Sequence, residues 1–172
     1  MSGEVRDVFE AIESLFEDGP VAPGEAVDDA ARKQFMDRMG AVAETWRDAV
    51  YAGPGGRTGR LATGRLHAFL ERARALLDDS IERNRRSDGL FHSYNLLRIG
   101  AQGHAIEHLQ EMLEGQVAVL GCGVLSPAEG ADLLDRLRAS RLYRSDQNGY
   151  TLYPDTPLPG FLEKNVIPAD RV

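Results

Sequence analysis

Side chains suited to chemistry gather first in ERNRRSDGLFHSYNLL, residues 82–97, where Asp88, His92, Tyr94 and Asn95 stand close together. Glu114 and Gln116 follow in EMLEGQVAVL, and Asp146, Gln147, Asn148, Tyr150 and Tyr153 lie near the C-terminal end. Carboxylates, carboxamides and aromatic rings in loops at helix ends suit carbohydrate. Rings lie against the apolar face of a sugar while planar polar groups pair with its hydroxyls. The expected binding residues are therefore His92, Tyr94, Asn95, Gln116, Gln147 and Tyr150, with an oligosaccharide as ligand. Two carboxylates facing each other at roughly 6.5–9.5 Å could also hydrolyse a glycosidic bond with inversion. The same residues equally suit capping helices and stapling the tail, and that plainer task weighs more.

The second stretch is HAIEH, residues 104–108. On a helix, His104 and His108 share one face and could bind one zinc ion, with Glu107 beside them as base for a metal-bound water. This is the H-x-x-E-H order of the inverzincin peptidases. A catalytic zinc wants a third protein ligand, for which Glu163 is a candidate. Those peptidases pack the motif helix on a sheet that this chain does not predict. An amphipathic helix with two histidines on its polar face is the plainer alternative. No cofactor is expected, with zinc as the alternative. Arg83, Arg85 and Arg86 form a local basic cluster that could hold a small anion, although such runs more often complement a helix C-terminus.

The elements that must position these groups read as helices. Apolar positions 5, 8, 9, 12, 15 and 16 repeat at helical spacing and predict a helix over 4–17. EDGPVAPGE ends it. A longer helix follows over about 28–52, with Phe35, Met36, Met39, Val42, Ala43, Trp46 and Val50 on its buried stripe. Leu66 to Ile81 mark a third, and Ile106, Leu109, Met112, Leu113, Val117 and Leu120 a fourth over about 102–120. In SPAEGADLLDRL, Ser126 can cap a helix, Pro127 suits its first position and Glu129 completes a capping box. Beyond Leu142 the chain turns irregular, with a weak strand signal at YTLY. Asp88-Gly89 predicts a turn. Leu90, Phe91 and Leu96 are then expected in the core, leaving His92, Tyr94 and Asn95 for a polar cluster with the tail. The expected fold is all-α: about five to six helices in antiparallel hairpins. One helical domain over 1–172 carries an irregular tail, 143–172, packed on the bundle.

Composition narrows the function classes. With 172 residues, 42% of them hydrophobic and 27% charged, the chain can bury a core. A net charge of -7 argues against nucleic acid as partner. No stretch approaches the roughly 18–20 apolar residues of a membrane span, and the acidic start is unlike a secretory signal. A cytoplasmic location is expected. The single cysteine, Cys122, lies in the apolar run VAVLGCGVL and reads as a buried, inert thiol.

DGLFHSYNLL and EHLQEMLEGQVAVLGCGVLSPAEGADLLDRLRASRLY together resemble the helical hairpins of α/α-toroid (six-hairpin) glycosidase-like proteins, and also a stretch found within larger uncharacterised bacterial proteins. The resemblance covers roughly residues 82–153. It implies a carbohydrate-active or carbohydrate-binding module with Asp88, Glu114 and Asp146 as candidate catalytic carboxylates. A complete toroid needs about twelve helices, so the chain would be part of a larger enzyme, or a small bundle that self-associates. Two other classes stand beside this one: a helical interaction or accessory domain without chemistry, and a zinc hydrolase on His104, Glu107 and His108.

Overall fold

The structure is a computed structural model and describes residues 1–53 and 55–171. Helices dominate: among the described residues there are six, with two small antiparallel sheets of two strands each. They are α1 (Gly3–Asp18), α2 (Asp29–Ala52), α3 (Thr63–Glu82), α4 (Leu113–Gly121), α5 (Pro127–Ala139) and α6 (Phe161–Lys164). The strands are β1 (Asn95–Ile99), β2 (His104–His108), β3 (Tyr143–Arg144) and β4 (Gly149–Tyr150). Among the described residues no helix is long and apolar enough to cross a membrane.

The chain divides into two compact units. The first comprises Met1–Arg86 and Tyr94–Leu109. Its first three helices lie close to where apolar periodicity puts them, but the stripe expected to be buried on α2 is only partly covered: Met36, Ala43 and Val50 are exposed, because the neighbouring helices do not reach over that side. Ser2 caps α1 by accepting from Val5 N–H, and Asp28 caps α2 by accepting from Ala31 N–H at 2.7 Å. α1 packs against both α2 and α3. A line of rings joins them: Phe16 of α1 stacks on Phe69 of α3 at 5.4 Å and on Phe35 of α2 at 6.4 Å, and Phe9 tilts against Phe69 at 4.8 Å. Such offset and tilted pairs add to the burial of the rings themselves.

Residues 95–108 depart from the all-α expectation. No helix starts at Gln102. β1 and β2 pair antiparallel instead, Asn95 opposite His108 and Ile99 opposite His104. Gly100 and Gly103 bracket the turn, and Gly100 N–H donates to Gly103 C=O at 3.0 Å. Ile106 and Leu109 fit a helical spacing with Met112, Leu113 and Val117, but a run this short fits a strand as well, and two glycines three positions apart favour the hairpin. Leu96 leaves the core with the same change. It lies on β1 opposite Glu107 and is 47% exposed.

The second unit comprises Ser87–Ser93 and the described residues from Gln110 onward. Leu90 and Phe91 are buried as expected, with Met112, Val119, Leu133, Leu137 and Leu142. The turn before them is also as expected: Gly89 has φ +81° and Asp88 Oδ1 accepts from Leu90 N–H at 3.1 Å. The capping box of α5 is complete. Ser126 Oγ accepts from Glu129 N–H at 3.3 Å, and Glu129 Oε2 accepts from Ser126 N–H at 2.8 Å. β3 and β4 form a short hairpin that overlaps the weak strand signal at YTLY only at Tyr150; residues 151–153 are not strand. Thr151 N–H to Leu142 C=O at 2.8 Å and Leu113 N–H to Leu152 C=O at 3.0 Å tie the hairpin down.

Two further expectations are corrected here. Cys122 is exposed, because the buried side of α4 is Gly115, Gln116 and Val119 and the thiol lies past its last turn. The tail packs only as far as Pro154, which is buried. Leu158, Phe161, Leu162, Val166 and Ile167 beyond it are exposed.

Candidate functional site

Within the first unit, α2, the end of α3 and the β1–β2 hairpin line an open cavity of about 550 Å³. That is the size class of small-molecule sites. Phe35 and Ile106 supply apolar wall, with Val21 and Val27 from the chain leading into α2. The polar lining is Arg32, Asp79, Ser80, Arg83, Asn84, Asn95 and His108.

A relay of side chains runs along this lining, and its direction follows from one backbone carbonyl. Asn84 lies just past α3 and its Nδ2 donates to Ser80 C=O at 2.8 Å. A carbonyl can only accept, so the Oδ1 of Asn84 faces the other way, and it accepts from Asn95 Nδ2 at 2.7 Å. Asn95 Oδ1 then meets His108 Nδ1 at 2.8 Å. An amide oxygen is an acceptor, so His108 carries its proton on Nδ1, and in the neutral ring Nε2 is the acceptor. The β1–β2 register makes the last link, since it sets Asn95 directly opposite His108. Each amide nitrogen has a second N–H beyond the relay.

The charged groups are held in place from behind. Arg32 donates to Asp29 Oδ1 at 2.7 Å, to Val27 C=O at 3.3 Å and to His104 C=O. Arg83 donates to Asp79 Oδ2 at 2.6 Å and to Glu25 C=O. Burial works to raise the Asp79 carboxyl, but the Gly24 N–H at 2.9 Å and the Arg83 guanidinium outweigh it and hold the group below the usual carboxylate value. Both arginines are thus fixed by partners, so the wall is polar and rigid.

The residues singled out from the sequence are dispersed. Asn95 is in the relay, and Tyr94 beside it is exposed in the same unit. The others named for sugar chemistry lie in the second unit. Gln116 has no solvent exposure; its Oε1 accepts from Phe91 N–H, and its Nε2 donates to Phe91 C=O and Met112 C=O, each at 2.9 Å. It is a buried staple and cannot touch a ligand, which corrects its assignment as a binding residue. Asp88 caps its own turn, and its C=O accepts from Arg136 at 3.0 Å. Glu114 is exposed in the first turn of α4. Asp146 takes a bidentate bond from Arg144, 2.9 Å to each oxygen, and that bond keeps its carboxyl below the usual value. His92 is half-buried, Gln147 closes the β3–β4 turn, and Tyr150 leans on Tyr143 at 5.3 Å.

HAIEH is a strand and not a helix, so the zinc geometry fails. Four residues of strand separate the His104 and His108 backbones by about 13 Å, and Glu107 points to the opposite face. Two imidazole nitrogens must come within about 2 Å of one zinc ion. Among the described residues no three His, Cys, Asp or Glu side chains are grouped to hold a metal. His108 reappears in the relay with a different task.

Reading the sequence alone misses Arg32, Asp79, Ser80 and Asn84. Asn84 left one trace, an amide among arginines at a helix end. Arg32 and Asp79 look like ordinary exposed helix charges. Compared with protein-family models and with curated proteins, the chain has no match to either.

Proposed function

We propose that this chain is a carbohydrate-binding module and that its ligand occupies the cavity framed by α2, α3 and the β1–β2 hairpin. The observation that carries this reading is the relay from Ser80 C=O through Asn84 and Asn95 to His108, set against Phe35 and Ile106. Sugar hydroxyls both donate and accept, and a row of amides beside a ring supplies both kinds of partner with an apolar wall. The lining carries two arginines against one aspartate, which suits a neutral saccharide or one with an acidic group. The reading claims binding and no reaction. Membership in a larger glycoside-processing protein, as the resemblance of residues 82–153 implies, is part of the proposal.

The test is a titration of isotopically labelled protein with a panel of neutral and acidic mono- and oligosaccharides. Saturable shifts should centre on Asn84, Asn95 and His108. Asn95→Ala should weaken the best ligand by about tenfold, the worth of one or two hydrogen bonds. If no saccharide moves these signals at millimolar concentration, the reading is wrong.

An interaction role is the second reading, and a different feature favours it. Leu66, Leu70 and Leu77 line one side of α3 and are exposed, as are Met36 and Val50 on α2. A dimer in sedimentation that Leu70→Glu dissolves would support self-association through α3.

A further inference from the structure

A second cavity in the first unit lies between α1 and α2, away from the amide relay, and has a volume of about 280 Å³. It exists because the facing positions Ala11, Ala41 and Ala49 are too small to fill the gap between the helices. Val8, Val42 and the indole of Trp46 make the remaining apolar wall. A smaller space of about 190 Å³ adjoins it and shares three of its lining residues, Glu4, Trp46 and Ala49. Any occupant of either lobe therefore meets the same carboxylate and the same indole.

Glu4, Asp7 and Arg57 are the charged residues of the lining, and Arg6 lies 3.8 Å from Asp7. Arg57 is bound to Asp7 at 2.7 Å and leaves that carboxylate neutralised. Glu4 accepts from Gly55 N–H at 2.9 Å, and its bonds to backbone N–H groups, with that from Ser2, keep its carboxyl below the usual value. With Asp7 taken up by Arg57 and Arg6, Glu4 is the lining carboxylate held mainly by backbone N–H groups. An ionised carboxylate and an indole on the walls of one alanine-lined apolar slot match one ligand class. The positive group sits near Glu4 and over the indole, and the apolar body fills the slot.

We propose that this cavity binds a small organic cation with an apolar body, an arylalkylammonium or alkylammonium ion. Trp46 is the sole tryptophan of the chain, so its fluorescence reads the site directly. The probes are 2-phenylethylammonium, the neutral 2-phenylethanol and the anionic 3-phenylpropanoate, titrated at low ionic strength into the full chain. The expected result is a saturable change in Trp46 emission with the ammonium ion, about tenfold weaker binding of the alcohol and none of the acid. Glu4→Gln should bring the ammonium ion down to the affinity of the alcohol and leave the alcohol unchanged. Ala41→Leu, which fills the slot without touching charge, should abolish binding of both, with circular dichroism confirming the fold. Equal affinity for alcohol and ammonium ion, preference for the acid, no saturable signal, or binding that survives both substitutions would each overturn the proposal.

Discussion

Gln116→Leu removes three hydrogen bonds from a place with no solvent contact while nearly keeping the volume of the side chain. At about 1 kcal/mol net for each bond, the loss is about 3 kcal/mol, and more where a partner stays buried without a replacement. The extra apolar burial of leucine returns about 1 kcal/mol. The second unit should therefore lose about 2–4 kcal/mol. Gln116→Glu should be worse, because an ionised oxygen would replace the Nε2 that donates to the carbonyls of Phe91 and Met112. Urea denaturation followed by far-UV circular dichroism gives the total. Amide exchange at Val119 and Leu133 reads the second unit by itself. A loss under about 1 kcal/mol would refute the staple. Lost saccharide binding at unchanged stability would do so more pointedly, since it would restore Gln116 to the role its sequence context suggests.

Gly115→Ala places a Cβ 2.0 Å from Ser93 Oγ, and should cost about 1–3 kcal/mol in thermal denaturation, partly recovered by Ser93→Gly in the same chain. Asp79 has a folded pKa below its unfolded one, so its stabilising contribution is present above the ordinary carboxylate pKa and is lost as pH falls through the folded value. The stability difference between wild type and Asp79→Asn should accordingly shrink with acidification below about pH 4, and a pH-independent difference would contradict the assignment. Ser126→Ala should cost about 1 kcal/mol by breaking the capping box of α5, measurable as a shift in the urea midpoint.

What the sequence determines by itself is what depends on neighbours a few residues away. Apolar spacing of three and four places α1, α2 and α3 along the chain, but it does not settle how much of each apolar face is covered: Met36 and Val50 of α2 and Leu70 and Leu77 of α3 stay exposed. The capping box at Ser126 and the Asp88-Gly89 turn are equally local, each closed by bonds within three residues. Net charge, a sum over residues, needs no fold at all.

Residues 95–108 are decided at longer range. NLLRI and HAIEH have apolar groups compatible with either period, and it is pairing with each other and the packing of β2 on α2 that selects the strand. That one choice takes His104 and His108 off a common helical turn and sets His108 opposite Asn95. The relay then needs a third partner, Asn84, which is 11 positions from Asn95 in the chain but adjacent in space. Gln116 makes the same point in reverse. Its amide looks available in EMLEGQVAVL, and only the return of Phe91 over α4, 25 positions away, encloses it. A hydrogen-bonding side chain shows its type in sequence, but whether water, backbone or ligand satisfies it depends on which distant backbone arrives beside it.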